Sequence, residues 1–132
     1  IIKRLVQKLG FNPDDYSFAD GSGLSLYNYV TAELEVAFLR YAVKTGNILL
    51  HLKPSMPIAA TDGTLADRMR GTFTNGNVYA KTGTLTGVST LSGYCTAANG
   101  HRLAFAIMNQ GLRHTRNGRA FQDKVCAELC RP

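Results

Sequence analysis

The expected architecture depends most on residues 77–108, which read NVYAKTGTLTGVSTLSGYCTAANGHRLAFAIM. The apolar pattern in this stretch predicts three strands, at residues 78–81, 88–96 and 103–108. Residues 97–100, Ala-Ala-Asn-Gly, join the second strand to the third, and Asn-Gly is a strong signal for a tight hairpin. The stretch therefore predicts an antiparallel strand set.

Three helices are predicted around these strands. Near the amino terminus, apolar residues recur at helical spacing, at Ile2, Leu5, Val6 and Leu9. A second helix should begin after Thr31, whose hydroxyl can cap it, and should end at Gly46. The chain should close with a helix that aligns Phe121, Val125 and Leu129. Because residues 103–108 are apolar on both faces, helices should cover both sides, which gives an α/β fold with an antiparallel sheet covered by helices.

The composition indicates one domain and argues against several classes of partner. Of the 132 residues, 45% are hydrophobic, which is enough for one ordinary core and too little for two. The 15 basic and 9 acidic residues give a formal charge of +6, which favours anionic partners in general. No run of lysines and arginines alternates with aromatic residues, so no nucleic-acid partner is expected. No apolar stretch approaches the ~20 residues of a membrane span, and membrane association is left open.

The cysteines and histidines indicate neither a metal site nor a cofactor. The three cysteines, Cys95, Cys126 and Cys130, cannot all pair within the chain because their number is odd. Cys126 and Cys130 lie four residues apart on a predicted helix, where a regular disulfide is awkward. No histidine lies at a recognisable metal-ligand spacing from them. Buried or unpaired thiols are therefore expected.

Lys81-Thr82-Gly83-Thr84 follows directly on an apolar strand and is the main candidate for a substrate site. Lys81 at the end of a strand supplies a fixed positive charge, and Thr82 and Thr84 supply hydroxyl groups. Gly83 allows the backbone of a substrate to approach closely. Together these groups can hold a terminal carboxylate beside an extended peptide. Lys-Thr-Gly alone is common by chance, so the interpretation depends on other segments.

Three other segments accompany this motif in a fixed order. Residues 20–25, Asp-Gly-Ser-Gly-Leu-Ser, are followed by Asn28, and residues 56–65 read Met-Pro-Ile-Ala-Ala-Thr-Asp-Gly-Thr-Leu. The Lys-Thr-Gly-Thr stretch comes next, and residues 91–94, Leu-Ser-Gly-Tyr, complete the set. This combination, over residues 16–112, resembles the low-molecular-mass class C penicillin-binding proteins. These are the D-Ala-D-Ala carboxypeptidases and endopeptidases of peptidase family S13.

The resemblance implies a fold, an activity and a set of site residues. The sheet would be part of the serine β-lactamase and penicillin-binding-protein transpeptidase-like fold, and residues 1–132 would be the carboxyl-terminal segment of that domain. Ser25 would pass a proton to the leaving amine, and Asn28 would hold the acyl side chain of the substrate. Lys81 would organise the proton network, and Thr82 and Thr84 would bond the substrate carboxylate. The backbone N–H of Thr84 would also be an oxyanion-hole donor.

Two features depart from the family pattern. The Ser/Asn element of the family is usually Ser-x-Asn, whereas two residues separate Ser25 from Asn28. The nucleophile element Ser-x-x-Lys is absent, because no lysine follows three residues after any of the serines Ser17, Ser22, Ser25, Ser55, Ser89 and Ser92. Without this element no acyl-enzyme can form. The chain is therefore expected to be the later segment of a longer protein and to be inactive alone.

For the parent protein the resemblance implies a periplasmic or otherwise extracytoplasmic enzyme without a metal or organic cofactor. Its partners would be peptidoglycan stem peptides, the β-lactams that imitate D-Ala-D-Ala, and the missing amino-terminal part of the same protein. Two alternatives stay open. A β-lactamase-like hydrolase on the same fold would turn over β-lactams efficiently, and a non-catalytic binding or scaffold module would lack the nucleophile naturally.

Overall fold

The structure, a computed structural model, describes all residues from 1 to 132. Its centre is a three-stranded antiparallel sheet in the order β1-β2-β3, formed by β1 (Tyr79–Leu85), β2 (Val88–Thr96) and β3 (Arg102–Asn109). A tight turn joins β2 to β3, with Gly100 at a positive φ of 83°. The predicted antiparallel strands and the Asn-Gly hairpin are therefore confirmed.

The first strand is longer than the sequence pattern predicts, and this changes the position of the Lys-Thr-Gly-Thr stretch. Pairing with β2 continues as far as Leu85, which lies opposite Val88. The two residues between them close the hairpin, and Gly87 adopts the positive φ (72°) that such a turn requires. Lys81 therefore lies inside a paired strand, and the prediction that it marks a strand end is wrong.

The chain has four α-helices, α1 (Ile2–Lys8), α2 (Ala32–Thr45), α3 (Asn47–Leu52) and α4 (Thr115–Leu129), of which α2 and α4 pack on the sheet. The first, second and fourth confirm predicted helices, whereas α3 has no predicted counterpart. At the start of α2, Thr31 Oγ1 accepts a hydrogen bond from Leu34 N at 3.2 Å, and Gly46 ends the helix at a φ of 62°. None of the helices combines the length and apolar character needed to cross a membrane.

Helices cover both faces of the sheet, as the apolar pattern of β3 predicts. One face, under α4, carries a core of ten buried residues: Ala59, Leu65, Met69, Val78, Ala80, Leu91, Cys95, Phe105, Cys126 and Cys130. The other face, under α2, carries a smaller cluster of Leu39, Met56 and Tyr94. The predicted α/β architecture is confirmed.

The buried face of α4 differs from the predicted face by one residue position. Phe121, the first of the three aligned apolar residues, is 52% exposed, whereas Gly118, Gln122 and Cys126 are buried. Gly118 permits this packing because a Cβ there would come within 2.6 Å of Leu112 Cδ1. Hydropathy cannot reveal this face, since a glycine and a glutamine form much of it.

Three thiols lie where α4 meets the sheet. Cys95, Cys126 and Cys130 are buried and unpaired, as expected from their number and spacing. Burial raises the pKa of the Cys95 thiol and of the Cys126 thiol to about 12. At neutral pH these side chains therefore pack as small apolar groups.

A buried glutamine joins α4 to the sheet. Gln122 Nε2 donates to Ser89 Oγ on β2 at 3.1 Å and to Asn109 Oδ1 on β3 at 3.0 Å. Its Oε1 accepts from Arg68 Nη2 at 3.0 Å, and that guanidinium forms an ion pair with Asp123 at 2.6 Å. No buried side-chain nitrogen or oxygen of the chain lacks a partner. The network is therefore satisfied and fixes α4 against the strands.

Replacing Gln122 by leucine should lower the free energy of unfolding by about 1–3 kcal/mol, because its buried partners lose their hydrogen bonds. Urea denaturation followed by circular dichroism measures this change. Lys124→Leu, at an exposed position of the same helix, is the control and should change stability by less than about 0.5 kcal/mol. If the two variants were equally stable, the network would contribute nothing to holding α4.

Candidate active site

One edge of the first strand pairs with β2, and the other edge is paired only at its start. There Ile58 forms a bridge with Tyr79, and Pro57 O accepts from Ala80 N at 3.0 Å, so this edge is free from Lys81 onward. Because backbone N–H groups alternate between the two sides of a strand, those of Thr82 and Thr84 point outward like that of Ala80. Two donors are therefore available to an extended peptide that adds to this edge.

The side chains of the Lys-Thr-Gly-Thr stretch surround these donors. Lys81 is exposed, and its Nζ donates to the Thr82 carbonyl oxygen at 2.6 Å. Thr82 Oγ1 donates to Thr64 Oγ1 at 3.0 Å, and Thr84 is exposed. A fixed positive charge, two hydroxyls and free N–H groups can together bind a carboxylate. Sequence reasoning missed Thr64, although it stands in the quoted segment 56–65.

Gly83 is required by the sheet itself. It lies opposite Thr90 on β2, and a Cβ at this position would collide with Thr90 Oγ1. The glycine therefore has a packing role in addition to the predicted one, which is to let a substrate backbone approach.

Asn28 lies in a turn that Asp20 holds together. The Asp20 carboxylate accepts from Ser22 Oγ at 2.6 Å and from Asn28 Nδ2 at 2.7 Å. These hydrogen bonds lower the pKa of that carboxyl group. Asn28 Oδ1 accepts from Ala19 N at 2.8 Å. Both polar ends of the Asn28 side chain therefore serve the turn, and its predicted contact with a substrate stays a prediction.

Ser25 is half-buried in the same turn. Its Oγ accepts from Tyr27 N at 3.2 Å, which leaves the hydroxyl proton of Ser25 available for donation. The hydrogen bonds of Ser25 and Asn28 stay within residues 19–28, and none reaches β1. The structure does not join the two predicted parts of the site directly, and the catalytic role of Ser25 also stays a prediction.

The Ser25 turn carries an unusual amount of exposed apolar surface. Its large exposed side chains are Leu24 (69%), Leu26 (68%), Tyr27 (72%) and Tyr29 (62%). Clusters of exposed apolar side chains mark places where another protein surface packs.

Glu35 is a partly buried carboxyl group for which the sequence suggests only a favourable interaction with the helix dipole. It lies in the first turn of α2, near Ser92, which stands opposite Lys81 across the β1–β2 pair. Burial raises the pKa of the Glu35 carboxyl, and the nearby Ser92 hydroxyl partly offsets this effect. Its position depends on how α2 docks onto the sheet, which local sequence does not show.

Glu35→Gln should stabilise the protein more at pH 8 than at pH 4. The raised pKa means that the folded state binds more protons than the unfolded state above the ordinary value of 4.5. The stability of the wild type therefore falls as the pH rises above 4.5. A variant with an uncharged glutamine does not lose this stability.

Urea denaturation of both proteins at the two pH values gives the difference. Glu33→Gln, which removes a charge from an exposed position of the same turn, controls for the helix dipole. A stability difference for Glu35→Gln that did not change with pH would contradict the burial of this carboxyl.

Comparisons with known proteins agree with this geometry. The model of the D-Ala-D-Ala carboxypeptidase 3 (S13) family matches residues 1–129. D-alanyl-D-alanine carboxypeptidase DacB from Haemophilus influenzae is 40% identical over 112 residues, which are 83% of this chain and 23% of that protein. D-alanyl-D-alanine carboxypeptidase from Actinomadura sp. is 42% identical over 115 residues, which are 83% of this chain and 21% of that protein.

Solved structures give the same result. Penicillin binding protein 4 (dacB) from Haemophilus influenzae, complexed with a β-lactam, superimposes with a TM-score of 0.82 at 32% identity, over 99% of this chain and 32% of that one. A predatory endopeptidase from Bdellovibrio bacteriovorus, acylated by penicillin G, gives a TM-score of 0.75 at 25% identity, over 96% of this chain and 36% of that one. The chain thus spans about a fifth to a third of these relatives.

The chain belongs to the D-Ala-D-Ala carboxypeptidase 3 (S13) family. The resemblance drawn from the four sequence segments is confirmed, and so is the penicillin-binding-protein fold.

Proposed function

We propose that the chain is the carboxyl-terminal segment of the penicillin-binding domain of a serine-type D-Ala-D-Ala carboxypeptidase or endopeptidase. The observation that carries this proposal is the free edge of β1, along which the N–H groups of Thr82 and Thr84 point outward beside the Lys81 charge. A stem peptide that ends in D-Ala-D-Ala binds there as an added strand. Its terminal carboxylate is held by the threonine hydroxyls and attracted by the lysine ammonium group.

The same edge stabilises the transition state of acyl transfer. When a nucleophile attacks the carbonyl of the penultimate D-Ala, the carbonyl oxygen becomes negative, and the Thr84 N–H is one of the donors that receives it. Such a donor lowers the barrier by roughly 3–4 kcal/mol. The bond to the terminal D-Ala then breaks, and its amine takes a proton from Ser25 or from a group held near Lys81. Water hydrolyses the resulting ester and restores the enzyme.

The nucleophile comes from outside these 132 residues, because none of the six serines has a lysine at the third following position. The exposed apolar groups of the Ser25 turn, including Leu26 and Tyr27, offer a surface on which the upstream part of the protein packs. The acylation of a relative by penicillin G supports a serine acyl-enzyme and β-lactam binding in the parent protein. A peptidoglycan substrate supports an extracytoplasmic location for the complete enzyme.

Fluorescent-penicillin labelling tests this proposal on the protein expressed together with its upstream coding region. A covalent band on a denaturing gel is expected. Lys81→Ala should slow its formation by about 100-fold or more, because the charge that organises the site is lost. Ser25→Ala should slow it as well if the hydroxyl relays a proton. Lys44→Ala, an exposed lysine outside the site, should label at the wild-type rate.

The outcomes separate the alternative functions. Folded protein that gives no band at all favours a non-catalytic binding module. A band that disappears within seconds, with rapid consumption of penicillin, favours a β-lactamase-like hydrolase. If Lys81→Ala labels normally while the wild type labels well, the assignment of this strand to the site is wrong.

A pair of variants separates the two roles of Gly83. Gly83→Ala should lower stability, because the new methyl group collides with Thr90 Oγ1. Gly83→Ala combined with Thr90→Ala removes the collision and should restore most of that stability in urea denaturation. If the double variant is stable but still labels with penicillin at least about tenfold more slowly, Gly83 is also needed for substrate approach. If the double variant labels at the wild-type rate, the role of Gly83 is packing alone.

A further inference from the structure

A second concave site lies next to the start of β1, where Tyr79 comes two residues before Lys81. It is a cavity of about 420 Å³ between α2, α3 and the strand ends where Tyr79 lies opposite Tyr94. One face of α2, formed by Arg40, Val43 and Lys44, makes one wall. Strand β3 contributes Arg102, Leu103 and Ala104 on the opposite side.

The rim of this cavity is strongly basic. Arg40, Lys44, Lys53 and Arg102 all line it, together with His101, and no acidic residue does. None of the four lysines and arginines takes part in an ion pair or a side-chain hydrogen bond; the ion pairs of the chain use Lys3, Arg68, Arg70 and Arg131. Four like charges around one depression create a positive potential there. An anion that enters the cavity relieves their mutual repulsion.

The floor of the cavity is apolar. Leu49 and Leu103 line it beside the rings of Tyr79 and Tyr94. Lys53 Nζ stands 4.3 Å from the centre of the Tyr79 ring, which is a cation–π contact. The Tyr94 hydroxyl already donates to the Leu39 carbonyl at 2.8 Å. The tyrosine rings therefore present apolar surface, and the Tyr94 hydroxyl needs no hydrogen-bond partner from a ligand.

We propose that this cavity binds a small anion with an apolar chain, such as a carboxylate that carries a short alkyl group. The headgroup lies among the unpaired basic side chains, and the chain covers the leucine and tyrosine floor. A separate small molecule fits better than a bilayer surface, because the basic groups surround a depression instead of forming a flat patch. The cavity is distinct from the free edge of β1. The proposal for the cavity does not depend on the proposed peptidase activity.

Isothermal titration calorimetry with sodium octanoate tests the site, using the protein expressed together with its upstream coding region. Octan-1-ol, which has the same chain without the charge, should bind at least about tenfold more weakly. Binding of octanoate should also weaken as the salt concentration rises, because the headgroup contacts are electrostatic. Octanoate should not slow penicillin labelling, since none of the residues that line the cavity belongs to the Lys-Thr-Gly-Thr stretch.

A matched pair of double variants locates the binding. Arg40→Ser with Arg102→Ser should weaken octanoate binding at least about tenfold. Arg113→Ser with Arg116→Ser removes the same charge from another exposed basic pocket and should leave the affinity within about twofold. The proposal is overturned if octanoate does not bind, if both double variants lose affinity equally, or if octanol binds as tightly. It is also overturned if the protein binds mixed phosphatidylcholine–phosphatidylglycerol vesicles but not octanoate.

Discussion

The close pairing of β1 with β2 is the constraint on which the candidate active site depends. Two glycines allow it. A Cβ at Gly93 would collide with the backbone of Tyr79 and Ala80, and one at Gly83 would collide with Thr90. Because the strands approach this closely, the pairing is continuous over seven residues of β1. The backbone N–H groups on the opposite edge are consequently held at fixed positions, which is what recognition of an extended peptide needs.

The two faces of the sheet are held by different chemistry. On the α4 side, a glycine brings the helix close and Gln122 connects helix and strands through a satisfied polar network. On the α2 side the contacts are mainly apolar, and Tyr94 adds a single hydrogen bond to the Leu39 carbonyl. A polar network specifies one arrangement more narrowly than apolar packing does. The α4 face is thus fixed by more specific contacts, and the cavity lies on the α2 side.

Much of the fold follows from local sequence, and the parts that do not follow have physical reasons. Thr31 and Gly46 mark the ends of α2 because capping is a local interaction. The Asn-Gly pair identifies the β2–β3 turn for the same reason. The alignment of Phe121, Val125 and Leu129 does not mark the buried face of α4, since apolar spacing cannot anticipate a buried glutamine whose partners come from distant strands. The extent of β1 was also missed, because pairing with β2 overrides the low strand propensity of Gly83.

The candidate site was predictable in part. The Lys-Thr-Gly-Thr stretch could be identified because its four residues are consecutive, and its motif partners occur in order along the chain. The geometry around Ser25 and Asn28 could not be read in the same way, because the amide of Asn28 is engaged by Asp20 within the turn. The buried carboxyl of Glu35 and the basic cavity both arise where separate elements meet. Sequence patterns report on single elements, and these features belong to contacts between elements.

The burial of the three thiols determines at which stage of folding they can react. Because burial raises their pKa to about 12, the Cys95 and Cys126 thiols stay protonated at neutral pH, whereas the thiolate is the reactive form. Once α4 has docked, these thiols therefore react slowly in thiol–disulfide exchange. Before docking, the same thiols are exposed and ordinary in reactivity. The docking of α4 onto the sheet is therefore the folding step that protects Cys126 and Cys130 from incorrect cross-linking.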